Sequence, residues 1–412
     1  MPSACTITQE QIAAQLVALV GAEHVRVAAG SVHVAPANLD EIAGTMRFSS
    51  SNRLAVISVC GGSKLSWGNP VQADVHLSLN RMNAVREHAW QDMTCTVEAG
   101  CTWNQLRAKL AIHNQMVAVD VLWPGRASVG GTIAVNDSGA FRLKYGGLRD
   151  SIIGMTLVLA DGTIAKTGGK VVKNVAGYDL HKLMIGSYGT LAVIADVNFR
   201  LHPIEQHAQT WTASATEAAS FAELLRALLD SQLTPSSIQI RSSGEKAHLD
   251  IRIATLPECM ADCGEHIQGI FGELRVESSE SEVWQARQQL FELPDALVLK
   301  VSVLPSRVAT FCSELQRRAM TEKLEVESVA QATGLITVAL RGPYPHLMEL
   351  LQQIRDQVGG GGSVVALQVP DSLRHEVDVW GPAPGALALM REIKLRFDPH
   401  RVLNPGRFVG GI

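Results

Sequence analysis

Hydrophobic positions change their spacing several times along the chain, and these changes predict helices and strands. Thr8 followed by Gln11 is a capping-box signature and predicts a first helix over "QIAAQLVALVG". The run "LAVISVCGGSKLSWGN" predicts a buried strand that continues into a glycine loop. A helix is expected near Trp103, and "IIGMTLVLADGTIAKTG" predicts a hairpin that turns at Asp161-Gly162.

Two glycine-bearing segments interrupt this regular pattern. From Leu122, the run "LWPGRASVGGTIAVNDSGAFRLKYGGLRD" predicts a long irregular segment, which in a compact domain is often functional. The segment "KVVKNVAGYDLHKLMIGSYGTLAVI" then predicts a short helix that Gly186 ends, followed by a strand that ends before Pro203. The helix is expected to bury one face, formed by Val175, Leu180, Leu183 and Met184.

After residue 205 the glycine loops give way to alternating strand and helix patterns. Helices are predicted near 218–229, 283–293, 307–320 and 346–357. Two such β-α-β units indicate a ferredoxin-like arrangement, in which an antiparallel sheet carries helices on one face. The predicted class is therefore α+β. The change of pattern predicts domain boundaries that divide the chain into 1–205, 206–375 and 376–412.

Composition excludes several classes of protein. The chain has 412 residues and a formal net charge of -4, which does not favour nucleic-acid binding. No apolar run has the length of a membrane span, and no secretory signal pattern is expected at the start. Seven cysteines at irregular spacing, without CxxC, predict no disulfide framework and no iron–sulfur or metal site. A cytoplasmic protein is expected.

Candidate chemistry lies in two glycine loops, Cys60–Asn69 and Pro124–Gly139. Successive small residues let backbone N–H groups converge on an anion, where larger side chains would block a diphosphate. Neither loop matches GxGxxG, so a nicotinamide site of the Rossmann type is not indicated. Each loop alone is compatible with a tight turn, whereas the two loops in order, before the Lys170–Ile194 segment, are more specific.

These residues resemble a known family. "GGSKLSWGN", "ASVGGTIAVNDSG", "KNVAGYDLHKLMIGSYGTLAVI" and the ending "FDPHRVLNPGRF" are similar to the FAD-binding fold of the vanillyl-alcohol oxidase and p-cresol methylhydroxylase type. The resemblance covers most of residues 40–205 and about the last twenty. Within the family, the 173–194 segment most resembles the FAD-binding subunits of bacterial glycolate oxidases.

The resemblance implies that 1–205 is an FAD-binding domain of the p-cresol methylhydroxylase type, that 206–375 is a ferredoxin-like cap for the substrate, and that the helix and tail over 376–412 pack on the first domain. It also implies a site for non-covalent FAD. It implies that the loop starting at Cys60 wraps the diphosphate and that later segments line the ribityl chain and flavin. The implied cofactor residues are Cys60, Gly61, Gly62, Ser63, Lys64, Leu65, Pro124, Gly125, Ser128, Val129, Gly130, Gly131, Asn136, Ser138, Gly139, Tyr145, Gly146, Gly189, Thr190, Val193 and Ile194. Gly186 is equally compatible with a helix stop alone. A covalent link through Cys60 is a minor alternative to a buried thiol.

The reaction implied is hydride transfer from a small 2-hydroxy acid to the flavin. Such chemistry requires a cation for the substrate carboxylate and a base for its hydroxyl. His181 is the candidate base, and Asn404 is the polar residue expected nearest the flavin. The candidate cations are Arg142, Lys144, Lys173 and Arg407. Each of these charged groups also has an ordinary structural or surface interpretation.

One departure from the family's sequence pattern helps to distinguish between possible functions of the chain. Catalytic relatives carry a GHxGDGNxH-like run in the cap, whereas this chain has "GGGGSVVALQVPDSLRHEVDVWG", and His346 and His375 are isolated. The leading hypothesis is an FAD-binding subunit of a glycolate oxidase-like complex, with a larger flavin subunit and an iron–sulfur subunit as partners. Membrane association would be at most peripheral, at the inner face. The alternatives are a self-sufficient 2-hydroxy-acid dehydrogenase and a scaffold that has lost FAD.

Overall fold

The computed structural model describes residues 7–170 and 177–412. Its helices and strands are given first in chain order. The helices are α1 Gln9–Val20, α2 Leu39–Ser51, α3 Trp103–Ala111, α4 Val129–Val135, α5 Arg142–Tyr145, α6 Leu148–Ser151, α7 His181–Met184, α8 Ala222–Leu229, α9 Met260–Phe271, α10 Ala286–Gln289, α11 Val308–Thr321, α12 Tyr344–Val358 and α13 Leu387–Phe397.

The strands alternate with these helices. They are β1 Val25–Ala28, β2 Ser31–Val34, β3 Val56–Val59, β4 Val75–Ser78, β5 Val85–Ala89, β6 Thr94–Glu98, β7 Gln115–Met116, β8 Ile152–Val158, β9 Ile164–Gly168, β10 Val193–Arg200, β11 His202–Pro203, β12 Ala208–Ala215, β13 Ser237–Ser243, β14 Lys246–Ala254, β15 Val276–Ser279, β16 Leu297–Ser302, β17 Glu325–Gln331, β18 Leu335–Arg341 and β19 Ser363–Gln368.

The chain forms two compact units. Unit 1 comprises Met1–Asp137, Gly147–Ile204 and Ala383–Ile412, and unit 2 comprises Ser138–Gly146 and Glu205–Pro382. The helix α13 and the tail, which the sequence assigned to a segment over 376–412, belong to unit 1 from Ala383 onward. The grouping of Ser138–Gly146 with unit 2 was not predicted from the sequence.

Unit 1 is built on two main sheets with a shared apolar core. One sheet has the order β1-β2-β4-β3, in which β2, β4 and β3 run parallel. The other has the order β5-β6-β10-β8-β9 and is antiparallel. Leu16 of α1, Met46 of α2, and Trp103 and Leu106 of α3 are fully buried against these sheets. The apolar positions that predicted helices and strands thus form one core.

Unit 2 contains one eight-stranded sheet with the order β15-β12-β14-β13-β17-β18-β16-β19. Every pairing in it is antiparallel. Its apolar core joins the strands to residues such as Phe221, Phe311 and Leu350 from helical segments. The α+β class predicted from the alternating pattern is therefore confirmed.

Several local predictions are confirmed. The Thr8 hydroxyl accepts from the Gln11 N–H and the Gln11 side chain accepts in return, so the capping box forms. Gly162 adopts φ +81° in the β8–β9 hairpin turn, and Thr102 caps α3. In residues 7–170 and 177–412, no helix is long and apolar enough to cross a membrane.

Two local predictions are wrong. The segment after Leu122 is not wholly irregular, because it contains the seven-residue helix α4 as well as α5 and α6. The helix before Gly186 is only α7, and Leu180 and Leu183 are 40% exposed instead of buried. Of the expected apolar face, Met184 is buried, and Val175 lies outside the described residues.

Candidate functional site

The first wall of a cleft in unit 1 is the loop that follows β3. Leu65 donates its N–H to the Gly62 carbonyl, so the chain turns directly after the strand. A Cβ on Gly61 would lie 1.9 Å from the Arg126 carbonyl oxygen, so only glycine allows this approach. The contact brings together the two glycine loops that the sequence singled out separately.

The same loop presents bare backbone to the cleft. Gly62 has φ +67°, and a Cβ added there would meet no atom within 4 Å. In the part of the chain that the structure describes, the N–H groups of Gly61, Gly62 and Ser63 donate to no protein acceptor. Adjacent N–H groups of this kind form an anion-binding concavity. The loop therefore has the chemistry that a diphosphate requires.

The second wall is α4. The Ser128 hydroxyl accepts from the Gly131 N–H at 3.3 Å and caps the helix. A Cβ on Gly130 would lie 2.7 Å from the Ala99 Cβ, so this glycine allows α4 to lie against the chain after β6. Gly131 instead lines the cleft. The glycine pair thus has two different roles, helix packing and an unobstructed cleft wall.

The third wall is the turn after α7. Tyr188 donates its N–H to the Ala134 carbonyl at 2.8 Å, which fixes this turn to the end of α4. Gly189 has φ +71°, and a Cβ there would lie 2.8 Å from Asn404 Nδ2. The Asn404 amide donates to the Gly189 carbonyl at 2.8 Å and is buried. Asn404 therefore positions a cleft-lining residue and is not itself part of the lining.

Arg407 closes the cleft from the C-terminal tail. Its Nη2 donates to the carbonyl oxygens of Leu65 at 3.0 Å and Trp67 at 3.3 Å, and its Nη1 donates to Asn404 Oδ1 at 3.4 Å. Burial lowers the pKa of the Arg407 guanidinium, which the nearby Tyr188 opposes. Arg407 thus ties the tail to the glycine loop, and it lines the cleft as well.

These walls border an open cleft, in which about 470 Å³ of space, open solvent included, lies next to the lining residues. The lining includes eight of the predicted cofactor residues and the predicted cation Arg407. The full lining is Ser58, Val59, Cys60, Gly62, Ser63, Lys64, Leu65, Ser128, Gly131, Ala134, Val135, Tyr188, Gly189 and Arg407.

The other predicted cofactor residues are not part of this lining. In unit 1 but outside the lining are Gly61, Pro124, Gly125, Val129, Gly130, Asn136, Thr190, Val193 and Ile194. Ser138, Gly139, Tyr145 and Gly146 belong to unit 2. The buried Ser138 hydroxyl has no hydrogen-bond partner among the described residues.

Lys64 has a structural role that the sequence did not indicate. Its ammonium is buried, lies 3.3 Å from Asp137 and donates to the Leu122 carbonyl at 3.2 Å. It also lies 5.4 Å from the ring centroid of Trp123, within cation–π range. These contacts hold the first glycine loop against the segment that leads into α4.

The Cys60 thiol lines the cleft but is not activated. Burial raises its pKa to about 11, although hydrogen bonds with Ser128 and Gly131 oppose this. A thiol with so high a pKa is protonated at neutral pH and is a poor nucleophile. Nothing in its environment favours a covalent flavin link.

Among the described residues, the candidate base His181 and the candidate cations Arg142 and Lys144 are not part of the cleft lining. His181 is buried, and its Nδ1 lies 3.4 Å from the Thr167 hydroxyl oxygen. Burial lowers the pKa of the His181 imidazole. In unit 2, Lys144 and the Tyr145 hydroxyl both contact Glu205, at 3.2 Å and 2.7 Å. Arg142 begins α5 in the same unit, and Lys173 lies outside the described residues. Their catalytic roles stay predictions.

Tyr188 is a cleft residue that sequence reasoning missed. It has φ +55°, is buried, and stacks on Phe408 with ring centroids 5.6 Å apart. Burial raises the pKa of its hydroxyl. Its position between Gly186 and Gly189, both at positive φ, was the available signal, because a chain that must turn sharply there places the intervening side chain inward.

The cleft fits FAD on its own chemistry. Three N–H groups that have no acceptor within residues 7–170 and 177–412 suit the diphosphate, and Gly62 and Gly131 leave the approach open to it. Among the residues described, no group of three or more His, Cys, Asp and Glu side chains is arranged to hold a metal ion.

Comparison with known proteins agrees with this interpretation. The FAD binding domain family matches residues 31–168, and the C-terminal domain of FAD linked oxidases matches residues 382–408. Glycolate oxidase subunit GlcD of Bacillus subtilis is 31% identical over 208 residues, which cover 50% of this chain and 44% of GlcD. D-lactate dehydrogenase of Archaeoglobus fulgidus is 27% identical over 427 residues, covering 93% of this chain and 92% of that protein.

A solved structure shows the same fold. p-Cresol methylhydroxylase with substrate bound superposes with a TM-score of 0.76 at 16% identity, covering 98% of this chain and 97% of that one. The overall fold is thus of the p-cresol methylhydroxylase type. Residues 31–168 match an FAD binding domain and residues 382–408 match the C-terminal domain of FAD linked oxidases, and the chain is an FAD-dependent oxidoreductase.

Proposed function

We propose that the chain is the FAD-binding subunit of a glycolate oxidase-like complex that oxidises a small 2-hydroxy acid. The observation that carries the proposal is the unit 1 cleft, where Gly62 and Gly131 leave open backbone beside the N–H groups of the loop after β3. This arrangement supports cofactor binding by the chain itself. It argues against a scaffold that has lost FAD, since a scaffold has no need of bare backbone at those positions.

The substrate class rests on the relatives. Glycolate and D-lactate, named in the two matched proteins, are both small 2-hydroxy acids. Their oxidation removes a hydride from the hydroxyl-bearing carbon and a proton from the hydroxyl. When bound, FAD supplies the acceptor for the hydride. The chain's own contribution would be to hold the cofactor: the N–H groups of residues 61–63 would bind the diphosphate, and Arg407 fixes the loop that carries them.

Dependence on a partner rests on the cap sequence. Residues 359–381 lack the histidine-rich run that catalytic relatives carry. His346 makes a 2.9 Å contact with Glu322 on the surface of unit 2, and His375 is exposed. These positions support a subunit that binds FAD while a larger flavin subunit oxidises most of the substrate and an iron–sulfur subunit carries the electrons onward.

Affinity purification of the tagged full chain from its own host tests the assignment. The expected result is co-elution with a second flavoprotein and an iron–sulfur protein, and glycolate-dependent dye reduction by that complex. Elution of the chain alone, with full 2-hydroxy-acid turnover by the chain alone, would reject the subunit assignment. It would favour the second candidate, a self-sufficient dehydrogenase, which the alignment over 92% of a D-lactate dehydrogenase supports.

A further inference from the structure

Two buried charges join three segments of unit 1 beside the FAD cleft. Lys394 of α13 is 3% exposed and Asp398, one turn later, is fully buried. Their charged atoms lie 2.6 Å apart. From the sequence, Lys and Asp four residues apart near a helix end look like an ordinary surface pair. The structure instead places both in the interior.

The Lys394 ammonium donates three hydrogen bonds, each to a different segment. Besides Asp398, it donates to the Thr190 carbonyl at 2.7 Å and to the Leu403 carbonyl at 2.8 Å. Thr190 follows the cleft-lining Gly189. One side chain therefore connects α13, the third wall of the cleft and the C-terminal tail.

Asp398 shapes the tail from the other side. Its carboxylate accepts the N–H groups of Val402 at 3.0 Å and Leu403 at 2.8 Å, so the chain turns back after α13. The returning tail then bonds to β3 at Val56, through Val402 at 2.7 Å and Asn404 at 2.8 Å. β3 leads directly into the glycine loop.

The tail set in this way reaches the cleft on two sides. Asn404 holds the Gly189 carbonyl, and Arg407 holds carbonyl oxygens of the glycine loop. Burial lowers the pKa of Lys394, and Asp398 opposes the shift, which agrees with a buried ion pair. Such a pair often contributes little net stability compared with apolar residues of similar volume.

We propose that Lys394 and Asp398 are positioning residues for FAD, holding the Gly189 turn and the Asn404–Arg407 tail in the arrangement that the cofactor requires. The inference rests on FAD binding and not on the glycolate oxidase assignment. FAD affinity and folding stability usually change together when buried residues are replaced. Here, removal of both charges weakens FAD binding more than it lowers the stability of the fold.

The test compares two doubly substituted full-length chains. In Lys394→Met with Asp398→Leu, the FAD dissociation constant is expected to rise at least about tenfold, while the melting temperature of the apoprotein changes by only a few degrees. The control is Arg241→Met with Asp250→Leu, which removes from unit 2 an ion pair of 2.6 Å whose aspartate is fully buried and whose arginine is partly exposed. The control is expected to leave FAD affinity unchanged within about twofold.

Unchanged FAD affinity in the Lys394 and Asp398 variant overturns the proposal. An equal loss of FAD affinity in this variant and in the Arg241 and Asp250 control also overturns it. If the variant does not fold, hydrogen exchange on the unmodified chain decides. Adding FAD should then slow exchange at Val402 and Leu403, the two amides bound to Asp398, together with the glycine loop. Slower exchange in the loop alone contradicts the proposal. These readouts need no substrate, so they are independent of the proposed reaction.

Discussion

At the scale of single residues, Gly62 combines two properties that the FAD site requires. Its φ of +67° is strained for any other residue, and its missing side chain leaves the cleft open. Gly244, in the β13–β14 turn of unit 2, has φ +55° and also has no atom within 4 Å of an added Cβ. The two glycines share the backbone constraint but not the cleft, so they form a matched pair.

Gly62→Leu is expected to lower FAD affinity at least about tenfold, because the side chain would occupy the diphosphate approach. Gly244→Leu should carry a similar backbone cost of about 1 kcal/mol and leave FAD affinity unchanged. FAD titration by flavin fluorescence, with thermal melts of both apoproteins, measures the two effects. Equal FAD affinity in the two variants would show that the loop does not contact the cofactor.

Sequence reasoning predicted some residues of the cleft and missed others for physical reasons. The loop from Cys60 to Leu65 was predictable because small residues directly after a buried strand are typical of a backbone that a ligand approaches closely. Lys394 and Asp398 were not, since charged residues are normally exposed and only tertiary packing buries this pair. Lys64 was predicted to face the cofactor, yet it is also held by Asp137 inside the protein.

At the scale of elements, α4 shows where propensity misled. Its two glycines and following Asn136 favoured an irregular segment, because glycine weakens an isolated helix by about 1 kcal/mol. Ser128 as N-cap, together with the apolar spacing of Val129 and Ile133, was the opposing signal. Packing decides the outcome, since Gly130 lets the helix approach Ala99 more closely than any side chain would.

A buried aspartate in the five-stranded sheet of unit 1 leads to a prediction of how folding stability depends on pH. Asp196 of β10 lies opposite Glu98 of β6, and Arg86 contacts both carboxylates. Burial raises the pKa of Asp196, Arg86 opposes the shift, and Glu98 adds to it. The folded state therefore holds this proton more tightly than the unfolded state. The stability that this proton contributes is fully present below the pKa that Asp196 has in the unfolded state. It is lost as the pH rises through the pKa that Asp196 has in the folded state.

Asp196→Asn should consequently melt a few degrees higher than the unmodified chain at neutral pH. The difference should shrink as the pH falls toward about 4, the ordinary aspartate pKa. Asp161→Asn, in the exposed β8–β9 turn, is the control for the same substitution at the protein surface. Melting curves across this pH range give the answer. A variant that melts lower at neutral pH would indicate that the Arg86 contact outweighs burial.

At the scale of the whole molecule, the alternation of strands and helices was sufficient to predict an α+β chain. Periodicity could not assign Ser138–Gly146 to unit 2, because that grouping depends on tertiary contacts such as the Tyr145–Glu205 hydrogen bond. The chemistry of the cap is likewise not settled by pattern, since the sequence there differs from the catalytic relatives.

The most direct test of the account is an anaerobic visible spectrum of the purified full chain, before and after adding glycolate or D-lactate. We predict a yellow protein that keeps its flavin absorbance with either acid and loses it only in the presence of its partner subunits. A yellow chain bleached by either acid on its own would contradict the subunit proposal. A colourless chain that takes up no added FAD would contradict the cofactor site itself.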